Sequence, residues 1–263
     1  MQATLDSVRE RNRWTQEDMN IAVFDIDGTL TQTHNRYDEY YAQAVEETLG
    51  VSVSRSWSKY SHSTDSGIMH EACIQGTGLP PSAQQIAAAQ ERYLGKLRLV
   101  STGGDAVPGA CAFIEALASC SRWAIALATG NWAVAARFKL ARAGIAADSV
   151  PCATADDALD RKEIITIAIR RAAEHLGQSG LDRAVYVGDA TWDVAAAHAL
   201  GMAFVRRGTR ASNPQSPYLP SHSVADFQDQ GAGLDALANA SVPMRKGTPN
   251  KLAAGDPDVH RDA

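Results

Sequence analysis

Three short apolar runs in this chain each end in a polar turn that contains glycine. A short apolar run bounded by such a turn is typical of a β-strand that is buried on both faces. Met202–Val205 has the composition of a further strand. The three runs and their turns are Ile21–Phe24 before Asp25-Ile26-Asp27-Gly28-Thr29, Trp123–Ala128 before Thr129-Gly130-Asn131, and Ala184–Val187 before Gly188-Asp189.

Helical patterns alternate with these runs. Pro108–Ser119 has apolar residues at helical spacing, Trp132–Ala143 stops at a glycine, and Thr191–Leu200 does the same. Asp160 with Glu163 forms a capping-box pattern that predicts the start of another helix. Strands that alternate with helices predict the α/β fold class, with a Rossmann-like parallel sheet.

The stretch between the first two runs has a different composition. It lacks a buried strand, and Tyr37–Leu49 and Ile86–Leu99 have helical patterns. We therefore predict a helical insertion at residues 32–104 and a core made of residues 1–31 and 105–240. Residues 241–263 are polar, with proline, glycine and lysine, and we predict a flexible tail.

Composition narrows the range of partners. The 263 residues carry a net charge of -5, which provides no basic stripe for a nucleic acid. No apolar run approaches the roughly 20 residues of a membrane span, and the polar N-terminus lacks the apolar stretch of a signal peptide. We expect neither a nucleic acid nor a membrane as partner, and a cytoplasmic location. The sequence does not specify an oligomeric state.

Polar residues follow each predicted strand. Asp25 and Asp27 follow the first, Thr129 the second, and Asp189 with Asp193 the third. Ligands of open parallel sheets bind beyond the carboxyl ends of the strands, so we expect these side chains to converge. Four carboxylates in one crevice repel each other unless a cation or a shared proton is present.

Magnesium is the cation that this set of residues favours. Carboxylate oxygens are hard ligands, and Mg²⁺ retains waters that a phosphate can replace. Such a site also needs a basic side chain to face an anionic phosphate. Arg161 and Lys162, at the predicted helix start, are the candidates.

Four segments in order resemble the motifs of the haloacid dehalogenase-like hydrolase superfamily. Their order and spacing fit over residues 21–207, and the six-residue first motif is specific by itself. The resemblance implies a Rossmann-like core with an inserted helical cap. The segments are Asp25-Ile26-Asp27-Gly28-Thr29-Leu30, Thr129-Gly130-Asn131, Arg161-Lys162 and Gly188-Asp189-Ala190-Thr191-Trp192-Asp193.

The resemblance also implies a role for each acidic residue. Asp25 would be the nucleophile that forms an aspartyl-phosphate, and Asp27 would be the general acid and then the general base. Asp25, the backbone carbonyl of Asp27 and Asp189 would bind Mg²⁺. Asp193 would support the metal site or orient the basic residue.

The remaining phosphate-binding roles are implied in the same way. Thr129, with the backbone amides of Gly130 and Asn131, would hold the phosphate oxygens. The third motif departs from the common pattern, because Glu163 and not proline follows Lys162. Arginine grips phosphate bidentately whereas lysine is a point charge, so Arg161 is preferred and Lys162 retained.

A segment of the insertion resembles the cap of phosphoglycolate phosphatase-like members. It runs Ser63-Thr64-Asp65-Ser66-Gly67-Ile68. Thr64 and Asp65 either face the crevice and contact substrate or serve as ordinary helix N-caps. Such caps close over the site and select the substrate.

Asp27 indicates which reaction to expect. The resemblance associates a carboxylate two residues after the nucleophile with phosphate esters, since the dehalogenase and phosphonatase branches lack it. We therefore predict Mg²⁺-dependent hydrolysis of a small phosphorylated metabolite. A phosphomutase or other phosphotransferase that uses the same aspartates, and a non-catalytic phosphate-binding protein, are the alternatives.

Overall fold

The computed structural model describes residues 19–33, 35–100, 105–177, 183–208 and 216–247. A parallel sheet of six strands lies at its centre, in the order β3-β2-β1-β4-β5-β7. The predicted α/β class with a Rossmann-like sheet is confirmed. The sheet strands are β1 (Asn20–Phe24), β2 (Trp123–Ala128), β3 (Cys152–Ala153), β4 (Arg183–Gly188), β5 (Ala203–Arg207) and β7 (His222–Val224).

Helices cover both faces of this sheet because alternate strand residues are apolar on both sides. On one face Phe24 packs with Phe113 and with Phe227, and the rings of Phe113 and Phe227 stack at 5.0 Å. On the other face Ile21 and Val23 join a separate apolar cluster. The helices of this part are α4 (Ala110–Ala118), α5 (Ala133–Arg142), α6 (Arg161–Leu176), α7 (Thr191–Leu200) and α8 (Gln230–Asn239).

Three helices lie between β1 and α4. They are α1 (Asn35–Leu49), α2 (Asp65–Thr77) and α3 (Ala83–Leu97), with a short 3-10 helix at Trp57–Lys59. They share an apolar cluster that also contains the fully buried Trp132, which precedes α5. The helical insertion is therefore packed against the loop that follows β2.

Several elements differ from the sequence expectations. The sequence analysis gave no bounds for α2, although Thr64, one of its N-cap candidates, is the N-cap of this helix. The helix α3 begins earlier than Ile86 because Ser82 and Gln85 form a capping box. Within the region predicted as a tail, β8 (Met244–Arg245) pairs with β6 (Tyr218–Leu219). Residues 248–263 and the predicted insertion boundary at 101–104 lie outside the described residues. No helix of the described part is long and apolar enough to cross a bilayer.

Candidate active site

The ends of β1 and β4 bring the predicted acidic residues together. The amide of Asp25 donates to the carbonyl of Val187 at 2.9 Å, which aligns the two strand ends. Carboxylate oxygens of Asp25, Asp189 and Asp193 all lie within 4.8 Å of one another. The predicted convergence of residues that are distant in sequence is thus present in the fold.

Gly28 allows the close approach of the two strand-end turns. Its φ is 76°, a conformation that favours glycine, and a Cβ there would lie 2.3 Å from Oδ2 of Asp189. Any side chain at this position would displace the Asp189 carboxylate. The glycine of the first motif therefore has a steric function in forming the acidic cluster.

Arg161 supplies the positive charge of the cluster. Its Nη1 donates to Oδ1 of Asp25 at 3.1 Å and to Oδ1 of Asp193 at 3.0 Å. Burial alone would lower the pKa of Arg161, but Asp193, Tyr186 and Asp25 raise it above its usual value. The guanidinium therefore stays charged beside the predicted nucleophile.

Lys162 does not reach the acidic cluster. Its Nζ pairs with Asp160 at 3.0 Å, and 47% of its side chain is exposed. Asp160 is the N-cap of α6 and accepts the Lys162 amide at 2.9 Å. Of the two basic candidates, only Arg161 lines the cavity described below.

Asp193 is held rigidly at the base of the cluster. It is fully buried, and its Oδ1 accepts from Arg161 and from the Tyr186 hydroxyl at 3.0 Å. Its Oδ2 accepts from the amide of Ala190 at 2.9 Å. These bonds fit the predicted role of orienting the basic residue. The carboxylates of Asp25 and Asp189 accept fewer hydrogen bonds than that of Asp193.

The clustered carboxylates resist ionisation. Burial, followed by repulsion from Asp193, raises the pKa of Asp25 well above its usual range, although Arg161 opposes the shift. Burial and Asp193 likewise raise the pKa of Asp189 to about 7, with Arg207 opposing. A divalent cation between Asp25 and Asp189 would remove this penalty, so the donor set fits a hard metal ion.

The residues predicted to bind phosphate, Thr129, Gly130 and Asn131, follow β2 and are called the phosphate loop for that predicted role. Thr129 is fully buried, and its Oγ1 accepts from Nδ2 of Asn131 at 2.9 Å. Gly130 and Asn131 line the cavity, whereas Thr129 lies behind them. A Cβ at Gly130 would lie 2.5 Å from Nη2 of Arg161, so glycine leaves room for the guanidinium.

Lys139 is a site residue that the sequence analysis missed. It is buried in α5, its Nζ contacts Oδ2 of Asp27, and it donates to Oδ1 of Asn131 at 2.6 Å. Its spacing could have indicated this, since residues 132, 135, 136 and 139 share one helical face and the other three are apolar and buried. A lysine on an otherwise apolar stripe is directed into the protein.

Thr64 and Asp65 connect the helical insertion to the phosphate loop. The Thr64 hydroxyl caps α2 by accepting from Gly67 at 3.1 Å, and it donates to the carbonyl of Leu159 at 2.7 Å. Asp65 accepts from the amide of Trp132 at 2.8 Å, and its own amide donates to Gly130 at 2.7 Å. Both residues line the cavity, but their described bonds are structural.

Asp65 makes the stability of the metal-free protein depend on pH. Burial raises its pKa to about 7, although Lys139 and the Trp132 amide oppose the shift. The folded state therefore binds a proton that the unfolded state releases, and stability falls as pH rises from about 4 to about 7. An Asp65→Asn variant keeps an acceptor for Trp132 and removes the proton.

We expect Asp65→Asn to gain stability relative to the wild type as pH rises, by about 1 kcal/mol per pH unit between pH 5 and pH 7. Urea unfolding of both proteins in EDTA across this range measures the difference. Contributions from Asp25 and Asp189 cancel because both proteins contain them. A difference that stays constant with pH would mean that Asp65 is ionised throughout.

A cavity of about 440 Å³ opens above these groups, between the sheet and the insertion. Its floor contains Asp25, Asp27, Asp189 and Arg161, and Arg207 at the end of β5 lies at one side. The insertion contributes an aromatic wall. The aromatic residues are Tyr37, Tyr41, Trp57 and Tyr93. This volume falls in the ordinary range for sites that bind small molecules.

Comparisons with known proteins agree with this architecture. A model of the haloacid dehalogenase-like hydrolase family matches residues 19–201. A hydrolase from Pseudomonas syringae is 20% identical, with a TM-score of 0.58, over 83% of this chain and 98% of its own. CbbY from Rhodobacter sphaeroides, solved in complex with phosphate, is 19% identical, with a TM-score of 0.59, over 82% and 99%.

A β-phosphoglucomutase from Clostridium difficile is also similar in structure. It is 16% identical, with a TM-score of 0.52, over 80% of this chain and 92% of its own. At these identities the similarity to solved structures is one of fold. No curated protein matches the chain.

Proposed function

The chain belongs to the haloacid dehalogenase-like hydrolase family, and we propose that it hydrolyses a small phosphomonoester with Mg²⁺ through a phosphorylated Asp25. The observation that carries this proposal is the arrangement around Asp25. This carboxylate lies at the end of β1, beside Arg161 and within 4.8 Å of the carboxylates of Asp189 and Asp193. An anionic nucleophile needs such positive charge before it can approach a phosphate.

Asp25 and Asp189 are the side chains that would hold the Mg²⁺, with the backbone carbonyl of Asp27 as the ligand that the family resemblance implies. Support comes from their raised pKa values, which burial and then repulsion by Asp193 produce. When bound, the metal would neutralise charge on the phosphate and on the carboxylates. Asp193 would act indirectly, because its bond to Arg161 orients the guanidinium.

In the first step an Asp25 carboxylate oxygen attacks phosphorus while the bond from phosphorus to the ester oxygen breaks. The electron pair of that bond stays on the leaving oxygen, which takes a proton from Asp27. Arg161 lies 3.1 Å from Asp25 and can bind an equatorial phosphate oxygen. Gly130 and Asn131 line the cavity, and their amides would bind other phosphate oxygens, the Asn131 amide in exchange for its 3.3 Å bond to Oγ1 of Thr129.

In the second step water attacks the phosphorus of phospho-Asp25. Asp27, now a carboxylate, accepts the proton of that water, and Asp25 is released with inorganic phosphate. About a quarter of the Asp27 side chain is exposed to the cavity. Its Oδ1 accepts from the Thr31 hydroxyl at 3.2 Å, which fixes the carboxylate relative to the turn.

The helical insertion at residues 32–104 is proposed to act as a cap that selects the substrate. Its aromatic side chains line the same cavity as Asp25. Thr64 bonds to the carbonyl of Leu159, and Asp65 bonds to the amide of Trp132. These two bonds attach α2 beside the phosphate loop. The cavity of about 440 Å³ suits a small phosphorylated metabolite.

The test is release of inorganic phosphate from para-nitrophenyl phosphate and from a panel of phosphorylated metabolites. We expect activity with Mg²⁺, none in EDTA, and recovery when Mg²⁺ is added back. Mg²⁺ should also raise the Tm of the wild type, because a ligand that binds only the folded state stabilises it. Asp189→Asn should lose most of this rise, whereas Asp226→Asn, at a partly exposed aspartate outside the cavity, should keep it.

Activity that persists in EDTA would contradict the metal requirement. Transfer of the phosphoryl group to a second substrate hydroxyl, with little release of phosphate, would assign a mutase. Phosphate binding without turnover of any ester would assign a non-catalytic protein.

A further inference from the structure

Lys139 is a buried cation that the mechanism above leaves without a task. Only 2% of its side chain is exposed. Arg161 already supplies the positive charge beside Asp25. The side-chain bonds of Lys139 go to Asp27 and Asn131 and not to Asp25. Burying an ammonium is costly unless its partners compensate, so its position needs an explanation.

The contacts of Lys139 join two parts of the site. Its Nζ contacts Oδ2 of Asp27, the general acid and base, and donates to Oδ1 of Asn131 at 2.6 Å. Asn131 in turn donates to Thr129 at 2.9 Å. One lysine thus connects the first motif to the phosphate loop, across 112 residues of sequence.

The surroundings keep Lys139 charged and fixed. Its Nζ lies 4.9 Å from the centre of the Tyr37 ring and 5.8 Å from that of Tyr93. The Asp27 carboxylate, which pairs with Nζ, compensates the buried charge. The aromatic rings of the insertion therefore stabilise an ammonium that faces Asp27.

We propose that Lys139 is a positioning residue for the proton transfer to the leaving group, and that it acts through Asp27. This inference rests on the proposed function. When the bond from phosphorus to the ester oxygen breaks, that oxygen takes the Asp27 proton, and Asp27 becomes a carboxylate. The Lys139 ammonium holds Oδ2 of Asp27 and pairs with the negative charge that the transfer leaves on Asp27.

The consequence is a dependence on the leaving group. An alkoxide leaves poorly unless it is protonated, whereas para-nitrophenolate needs almost no proton. A defect in proton transfer should therefore appear with poor leaving groups and nearly vanish with para-nitrophenyl phosphate. A defect in the packing of α5 or of the phosphate loop would slow all esters alike.

The experiment compares the wild type with Lys139→Met, which retains much of the side-chain volume and removes the charge. Values of kcat/KM are measured for ethyl, phenyl and para-nitrophenyl phosphates, because this constant reports the phosphorylation of Asp25. We expect a loss of about 100-fold with ethyl phosphate and of less than about 5-fold with para-nitrophenyl phosphate. Lys59→Met, at an exposed lysine of the 3-10 helix, is the matched control and should change neither value.

A double-mutant cycle tests whether Lys139 acts through Asp27. Asp27→Asn should show the same dependence on the leaving group, and Lys139→Met added to Asp27→Asn should lower kcat/KM for phenyl phosphate little further. If Lys139→Met has a lower Tm than the wild type, Lys139→Gln is used in its place, because glutamine can still donate a hydrogen bond to Asn131.

Equal losses with all three esters, or full additivity with Asp27→Asn, would overturn the proposal and leave Lys139 a structural residue. A wild type that hydrolyses none of the esters would overturn the proposed function itself. The two failures are therefore distinguishable.

Discussion

Replacement of Arg161 by alanine is expected to reduce phosphatase activity by about 10³-fold and to destabilise the protein. Arg161 is the cation whose bonds join Asp25 to the fully buried Asp193. Its loss removes the group that binds a phosphate oxygen and leaves Asp193 without its charged partner. Removing one member of a buried ion pair costs about 3 to 5 kcal/mol of stability.

Two neighbouring variants sharpen this prediction. Lys162→Ala should change stability by less than about 0.5 kcal/mol, since its partner Asp160 forms an exposed pair with it, and it should leave activity intact. Arg161→Lys should recover part of the stability but little activity, because an ammonium is a compact point charge and lacks the planar fork with which a guanidinium binds phosphate bidentately. Urea unfolding and phosphate release measure both effects. If Lys162→Ala lost as much activity as Arg161→Ala, the assignment of the basic residue would be wrong.

Asp25→Asn is expected to abolish turnover, with a loss of at least about 10⁴-fold, while the metal-free protein becomes more stable. The amide cannot form the phosphoryl intermediate. Burial and repulsion by Asp193 raise the pKa of Asp25. At a pH above the usual aspartate pKa, the charged form of Asp25 is therefore disfavoured in the folded protein. A neutral asparagine avoids this penalty, so stability and activity should change in opposite directions.

Thermal unfolding in EDTA at pH 8 separates this outcome from simple misfolding. The Tm of Asp25→Asn should equal or exceed that of the wild type, and Mg²⁺ should raise it by less. A variant that is inactive because it unfolds would show a lower Tm. Retention of activity in a well-folded Asp25→Asn protein would rule out Asp25 as the nucleophile.

The sheet and the acidic cluster were predictable because the signals for them are local. β1, β2 and β4 are short apolar runs, and the rule that ligands bind at the carboxyl ends of parallel strands places Asp25 and Asp189 together. The helix α2 was not predictable in the same way. Its buried residues run consecutively from Gly67 to Met69 and again at Ala72 and Cys73, without a clear polar face.

The basic groups of the site were harder to predict. Arg161 and Lys162 are adjacent in the first turn of α6, and only the direction of each side chain shows that one enters the cavity while the other pairs with Asp160. The apolar helical face that contains Lys139 could have indicated its burial, but not the groups that it contacts. Its buried position depends on the aromatic residues of the insertion, Tyr37 and Tyr93, which are distant in sequence.

The proposed covalent intermediate is tested most directly in the Asp27→Asn variant with para-nitrophenyl phosphate. This ester needs no acid to leave, whereas hydrolysis of the phosphoenzyme needs the missing base, so the intermediate should accumulate. We predict a burst of one para-nitrophenolate per active site, and mass spectrometry of the acid-quenched protein should find one phosphoryl group on the peptide that contains Asp25. A phosphoryl group on another residue, or continued release of para-nitrophenolate from an unlabelled protein, would contradict the account.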